Sequence, residues 1–348
     1  MNTGTRNTGN HPVFDPAAVP ASGWQEVWYL RCNDPESGEA LWLRFTLLVR
    51  CDGSKRVAET WAIHFHKHPD GGVDKTGMKN THPLAAFRIE YTAPHANTAA
   101  FHIADCFFSD QHTFGEVATA EHSIRWDLTI TPAQSLAFDF VPAALRRLGL
   151  VKNMAITPCE DLRFSGWVEV DGHRRDWRAA PGMQGHLAGP KNGHSWAWAH
   201  CNMFVDDAAS PQPVILDALS ARARLGSGRA TPLLSTLYVH VGRHDLRCNG
   251  LRDVLRTKSA YGLQGWTFTA RKGDWTIRGE IQGKQDHYAG LTYEDTDGSK
   301  LYCYNSKVSD MTLELRRGND APVRCFSKGT TAFEVVTREK IPGIPLVI

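Results

Sequence analysis

The residues best suited to chemistry lie in one short stretch, His194 to Phe204, where side-chain character alternates with the two-residue period of a β-strand. His194, Trp196, Trp198, His200, Asn202 and Phe204 would face one way; Ser195, Ala197, Ala199, Cys201 and Met203 would face the other. A wide, aromatic, hydrogen-bonding face opposite a small apolar one suits a strand that lines a ligand cavity. A core strand whose histidines and asparagine are satisfied by neighbouring backbone is the simpler alternative. Histidine titrates near neutrality, so His186, His194 and His200 are the candidate acid/base groups. On one strand, His194 and His200 would stand roughly 20 Å apart at the usual rise per residue, so both cannot act on one atom. His200, between Trp198 and Asn202, is the better placed of the two. Gln184, Asn202 and Arg222 are candidate polar contacts to a substrate, and Trp196, Trp198 and Phe204 candidate walls. Asp34 and Asp127 could partner a histidine, although Asp34–Pro35 also suits a turn and Asp127 an outward strand position.

Such a pocket could protonate an electron-rich double bond and hold the resulting cation against indole faces, each contact contributing roughly 0.5–2 kcal/mol. The chain holds 11 tryptophans, several of them in or near this strand. A second constellation, His64, His66 and His68, also alternates on one strand face, and His64 with His66 forms an HxH pair that zinc could use. No HExxH helix or cysteine pair accompanies it, so no metal or other cofactor is expected. Serine-nucleophile elbows, phosphate-binding loops and dinucleotide fingerprints are all missing from the sequence. Cys201 beside His200 would face the opposite side of the strand, which argues against a thiol nucleophile.

The elements that must position these residues are strands. Segments such as 27–32, 40–49, 60–66, 123–130 and 162–170, then 236–241, 265–270, 275–282 and 331–337, are rich in β-branched and aromatic residues. Asp52–Gly53, Asp171–Gly172 and Asp297–Gly298 separate such runs as hairpin turns would. The pattern predicts antiparallel barrels or sandwiches, with short helices at 141–150 and 250–261. With 348 residues, 42 % of them hydrophobic, two domains are expected. The breakers Pro181, Gly182, Gly185, Gly189 and Pro190 make 179–192 the expected crossover, which sets domains of 24–180 and 181–348 behind a flexible 1–23 lead-in.

The formal net charge of +2, with basic residues spread along the chain, gives no footprint for nucleic acid. No apolar run approaches the roughly 20 residues of a membrane span, and residues 1–22 lack a secretory apolar core, so a cytoplasmic protein is expected. The eight cysteines form no CxxC pair and read as buried free thiols.

The run Trp28–Tyr29–Leu30–Arg31–Cys32–Asn33–Asp34–Pro35, then Ala40–Leu41–Trp42–Leu43–Arg44–Phe45–Thr46, Met183–Gln184–Gly185–His186, the Trp196 to Cys201 strand, and Leu219–Ser220–Ala221–Arg222 resemble the lipocalin-like superfamily of carotenoid hydratases, tocopherol cyclases and AttH-type proteins, in its uncharacterised bacterial branch. The resemblance spans most of the chain. It implies an all-β fold of two lipocalin-like antiparallel barrels with a few short helices, and a hydrophobic small molecule bound in or between them. Two activities are compatible with it: a cofactor-independent enzyme that isomerises, hydrates or cyclises a terpenoid, polyketide or aromatic substrate, and a non-catalytic carrier of a hydrophobic ligand or lipid.

Overall fold

The three strands β1 (Trp24–Asp34), β2 (Glu39–Val49) and β3 (Arg56–Lys67) are buried on both faces over most of their length. Antiparallel strands of that kind need a core on each side. Alternation along β1 shows where the two cores lie. Trp28, Leu30 and Cys32 point into one apolar cluster, whereas Val27 and Tyr29 point into another. On β2, likewise, Leu41, Leu43, Phe45 and Leu47 face the first cluster, and Ala40 and Trp42 the second.

The computed structural model describes residues 9–15, 18–90, 99–141, 145, 148, 151, 153–225 and 229–348. The strands after β3 are β4 (Val73–Pro83), β5 (Phe87–Ile89), β6 (Ala100–Ile103), β7 (Cys106–Ser109), β8 (His112–Ala118), β9 (Ser123–Gln134), β10 (Phe138–Asp139), β11 (Met154–Val170) and β12 (His173–Gly189). They complete a 12-stranded antiparallel sheet in the order β4-β3-β2-β1-β12-β11-β9-β8-β7-β6-β5, with β10 beside β11. Asn80 on β4 exchanges two hydrogen bonds with the backbone of Ala118 on β8, drawing distant strands together around the first core.

The second sheet also has 12 strands. They are β13 (Ser195–Cys201), β14 (Phe204–Val205), β15 (Pro211–Gln212), β16 (Val214–Arg222), β17 (Leu234–Val241), β18 (His244–Cys248), β19 (Lys258–Gly262), β20 (Gly265–Lys272), β21 (Trp275–Gln282), β22 (Ala289–Glu294), β23 (Lys300–Arg317) and β24 (Val323–Thr337). In both sheets the last strand returns to pair with the first, β12 with β1 and β24 with β13. The fold is all-β, two lipocalin-like barrels, each around its own core. The third cluster unites Tyr29, Trp42 and Trp61 of the first sheet with Trp198, Tyr238, Tyr293 and Cys303 of the second, and forms a seam between the barrels.

Three expectations need correction. Residues 179–192 are not a breaker-rich crossover, because β12 runs through to Gly189. Its glycines serve packing: a Cβ on Gly182 would lie 2.2 Å from the Arg31 carbonyl oxygen, and one on Gly185 2.0 Å from the Tyr29 ring. The expected boundary after residue 180 therefore falls inside β12, and the chain changes sheets between Gly189 and Ser195. The expected helix at 250–261 is confined to Leu251–Arg256, after which the chain enters β19. The other expected helix, 141–150, lies largely outside the described residues.

The lead-in also differs. Within 1–23, residues 9–15 are anchored in the first barrel: Asn10 and Phe14 are buried, and the Trp28 indole N–H donates to the Asn10 carbonyl at 2.9 Å. Polar groups inside the barrel need partners, and this segment supplies them. All eight cysteines are free, and only Cys51 is exposed. Among the described residues no helix is long and apolar enough to cross a membrane.

Candidate functional site

The alternation in β13 is real, but its aromatic face does not look into a barrel. Ala197, Ala199 and Cys201 line the core of the second barrel, while Trp196 and Trp198 face the seam. Phe204 leaves that face, because the strand breaks at Asn202 and Phe204 joins the core of the second barrel.

At the seam the polar residues of both sheets form one buried network. Arg31 of β1 donates to Nδ1 of His200 through Nε at 3.2 Å and Nη2 at 2.5 Å, to Asn33 at 2.7 Å and to Asn202 at 2.8 Å. The second nitrogen of His200, Nε2, lies 3.1 Å from the Glu160 carbonyl oxygen, which it can only approach as a donor. Burial and the neighbouring Arg31 charge hold the His200 pKa well below the usual histidine value, so the ring is neutral with its proton on Nε2. Asn202 donates to Asp161 at 2.9 Å and to the Gly182 carbonyl at 3.1 Å. Asn33 donates to the Lys307 carbonyl at 2.7 Å, completing a second crossing of the seam.

Beside this network two carboxyl groups face each other, Glu160 of β11 and Asp217 of β16, both fully buried. Asp217 accepts from Thr157 Oγ1 at 2.5 Å and from the Trp198 indole N–H at 2.9 Å. Burial nonetheless raises its pKa to about 7. Glu160 is raised well above the carboxylate range, by burial first and by the Asp217 charge second. Glu160 shares a side-chain hydrogen bond with Asp217, and its Oε2 lies 3.3 Å from His200 Nε2. Two carboxyls in one dry site cannot both ionise, so the pair retains a proton. Aromatic rings adjoin them: Tyr29 meets Trp198 edge-on at 5.4 Å, and Tyr238 stacks on Phe138 at 5.4 Å. The ammonium of Lys307 lies 5.3 Å from the Trp198 ring and 5.7 Å from Trp42, and burial lowers its pKa to about 8.

The other expected site residues are dispersed. Gln184 and His186 point into the first barrel rather than the seam. His186 stacks on Trp28 at 4.9 Å, its Nε2 is 2.9 Å from Glu26, and its Nδ1 meets the Gly9 carbonyl. Gln184 accepts from Asn10 at 2.8 Å. Neither reaches His200, because they belong to the opposite face of β12 from the one that touches β13. His194 and Arg222 instead line an open groove of about 580 Å³ with Ser195, Tyr261 and Arg338. Within it, His194 Nδ1 is 3.3 Å from Ser195 Oγ, and Arg222 donates to the Thr231 carbonyl at 3.2 Å. Trp196 donates to Glu334 at 3.2 Å. Asp34 accepts from the Ser37 backbone and hydroxyl, as a turn residue does, and Asp127 pairs with His112 at 2.7 Å. His64 lies 3.8 Å from Glu39 and apart from the donors that gather around His66.

Arg31, Glu160, Asp217 and Lys307 are the site residues that sequence reasoning missed. Asp217 carried a signal, a carboxylate within the apolar run Val214–Ile215–Leu216–Asp217–Ala218–Leu219. Glu160 carried none, since only the tertiary fold brings it to Asp217.

No protein-family model matches the chain. It is similar to an uncharacterized protein of Mycobacterium tuberculosis, 24% identical over 321 residues that cover 89% of each chain. Among solved structures, it resembles one designated AttH from Nitrosomonas europaea, with a TM-score of 0.51 at 12% identity, covering 95% of this chain and 98% of that one. It also resembles CghA bound to Sch210972, with a TM-score of 0.55 at 9% identity, covering 91% and 88%. The lipocalin-like two-barrel fold indicated by the sequence is therefore shared along nearly the whole chain.

Proposed function

We propose that the chain is an enzyme that protonates an apolar, electron-rich substrate at the seam, with Glu160 as proton donor and Asp217 as its partner. The observation that carries this reading is the Glu160–Asp217 carboxyl pair, both members fully buried, with Glu160 held protonated against its partner. Two carboxyls buried side by side are costly to ionise, and carboxyl pKa values raised in this way cluster at functional sites. In the proposed step the Glu160 O–H breaks as a C–H bond forms on the substrate, leaving a carbocation beside the Trp198 and Tyr29 rings. Asp217, poised near pH 7, then accepts a proton from an attacking water, from a substrate hydroxyl or from a neighbouring carbon. Hydration, cyclisation and isomerisation are the three corresponding outcomes.

His200 serves this site as a positioning residue. It fixes the Arg31 side chain and donates to the Glu160 backbone, and as a neutral ring paired on both nitrogens it is not the acid. The substrate class we favour is terpenoid, polyketide or aromatic, and the reaction needs no cofactor. The fold shared with CghA, a protein that binds Sch210972, is compatible with a bulky organic ligand.

The test is extraction of small molecules retained by protein purified from its host, repeated with Glu160→Gln and Asp217→Asn, followed by mass spectrometry. Conversion by the wild type, with unaltered compound held by Glu160→Gln, supports the enzyme. Release of one unaltered compound by all three proteins makes the chain a carrier instead.

A further inference from the structure

The β3–β4 hairpin gathers three metal-type donors that the proposed reaction does not use. His66 lies directly across from Asp74 in the antiparallel register, and His68 follows two residues after His66, on the same side of the chain. Donor atoms of His66, His68 and Asp74 all lie within 4.8 Å of one another. His68 Nε2 is 2.7 Å from Asp74 Oδ2, and the two imidazole rings are 4.3 Å apart. Zinc bonds of about 2.0–2.1 Å place tetrahedral ligands roughly 3.4 Å apart, so small side-chain rotations suffice to close the set. The spacing also separates these residues from His64, which is drawn instead towards Glu39.

From this geometry we infer that His66, His68 and Asp74 form a binding site for a divalent cation of the zinc class, with two imidazoles, one carboxylate and a position open to water. Zinc displaces the proton now shared between His68 and Asp74, which is how imidazole and carboxylate ligands are recruited. The site lies on a hairpin that braces the two barrels. The Gly71 carbonyl meets His287 Nε2 at 3.2 Å, Lys75 Nζ donates to the Asp286 carbonyl, and Lys67 pairs with Asp310 at 3.1 Å. A cation that joins the hairpin's two strands therefore stiffens the contact between barrels. This role is structural, since the donors lie at the surface and away from the Glu160 seam.

The experiment is calorimetric titration of the metal-free, full-length protein with zinc chloride, paired with thermal denaturation. One saturable equivalent and a higher melting temperature with zinc are expected. His66→Ala, His68→Ala and Asp74→Asn should each weaken binding by at least about tenfold, the loss that removing even an outer-shell partner brings. Each should also abolish the zinc-dependent rise in melting temperature. His64→Gln and Cys51→Ser should retain both effects. Absence of saturable binding, or binding that survives His66→Ala combined with Asp74→Asn, overturns the assignment. All of these substitutions lie near the surface except His64→Gln, and circular dichroism without zinc verifies that each variant is folded.

Discussion

Arg31 and His200, 169 residues apart in sequence, meet inside the seam, where the guanidinium donates through two of its nitrogens to Nδ1 of the ring. One bond pattern thereby fixes a tautomer, orients a buried cation and ties the first strand of one barrel to the first strand of the other. The charge of Arg31 and the ring's burial act in the same direction, both opposing protonation of His200.

Replacing Arg31 by methionine removes the charge that suppresses His200 protonation and strands the acceptors of Asn33, Asn202 and His200. The His200 pKa should rise, as followed by NMR titration of the imidazole resonances. Stability in urea should fall by about 3–5 kcal/mol, the usual cost of removing one member of a buried charged network. An unchanged His200 titration would show that burial alone governs the ring.

The pH dependence of stability should carry opposing contributions from Asp217 and Lys307. The folded-state pKa of Asp217, about 7, lies above its ordinary value of 3.8, so its contribution is complete below about pH 4 and disappears as pH rises through 7. Lys307, lowered from 10.5 to about 8, behaves in the opposite way: its contribution is present above 10.5 and disappears as pH falls through 8. Urea unfolding of Asp217→Asn at successive pH values should lack the first decline, and Lys307→Met should lack the second. A parallel wild-type and Asp217→Asn profile would place the retained proton elsewhere.

Turnover should follow the same carboxyl pair. Once the substrate is known, kcat should rise as pH increases through about 7, where Asp217 becomes able to accept a proton, and Glu160→Gln should lower kcat by about a hundredfold or more, the usual contribution of a general acid. A Glu160→Gln variant with full kcat would eliminate Glu160 as the donor.

Gly185→Ala should destabilise the protein by roughly 1–3 kcal/mol or more, because its new methyl would enter the Tyr29 ring, 2.0 Å from Cζ. Combining it with Tyr29→Ala should recover part of that loss. Simple additivity in the double-mutant cycle would contradict the contact.

Asn10→Ala tests whether residues 9–15 belong to the barrel. The substitution deprives Asp110 and Gln184 of a shared donor in the interior and should cost about 1–3 kcal/mol. A thermal shift indistinguishable from that of a surface substitution would mean that the segment contributes nothing to the barrel.

The sequence displays its strands and turns plainly, since alternation and Asp–Gly pairs are local signals. Direction is less legible. The period of β13 separates Trp198 and His200 from Ala197 and Ala199, yet period alone cannot distinguish a barrel interior from a seam with a neighbouring barrel. Gly182 and Gly185 mislead for a related reason: the steric demands of Arg31 and Tyr29 on the adjacent strand account for them, and those neighbours lie some 150 residues away in sequence. His186 and His200 look alike in sequence, but opposite faces of β12 and β13 send them into different surroundings. The Glu160–Asp217 pair depends wholly on tertiary folding, and no local pattern announces it.

Because β1, β2 and β3 have apolar side chains on both faces, neither barrel is a finished object by itself. A fragment cut after Gly189 would present Trp42, Trp61 and Phe65 to water together with an Arg31 stripped of its His200 and Asn202 partners, and should aggregate rather than stand alone. The two halves should accordingly melt in one cooperative transition, one thermodynamic unit despite two architectural ones.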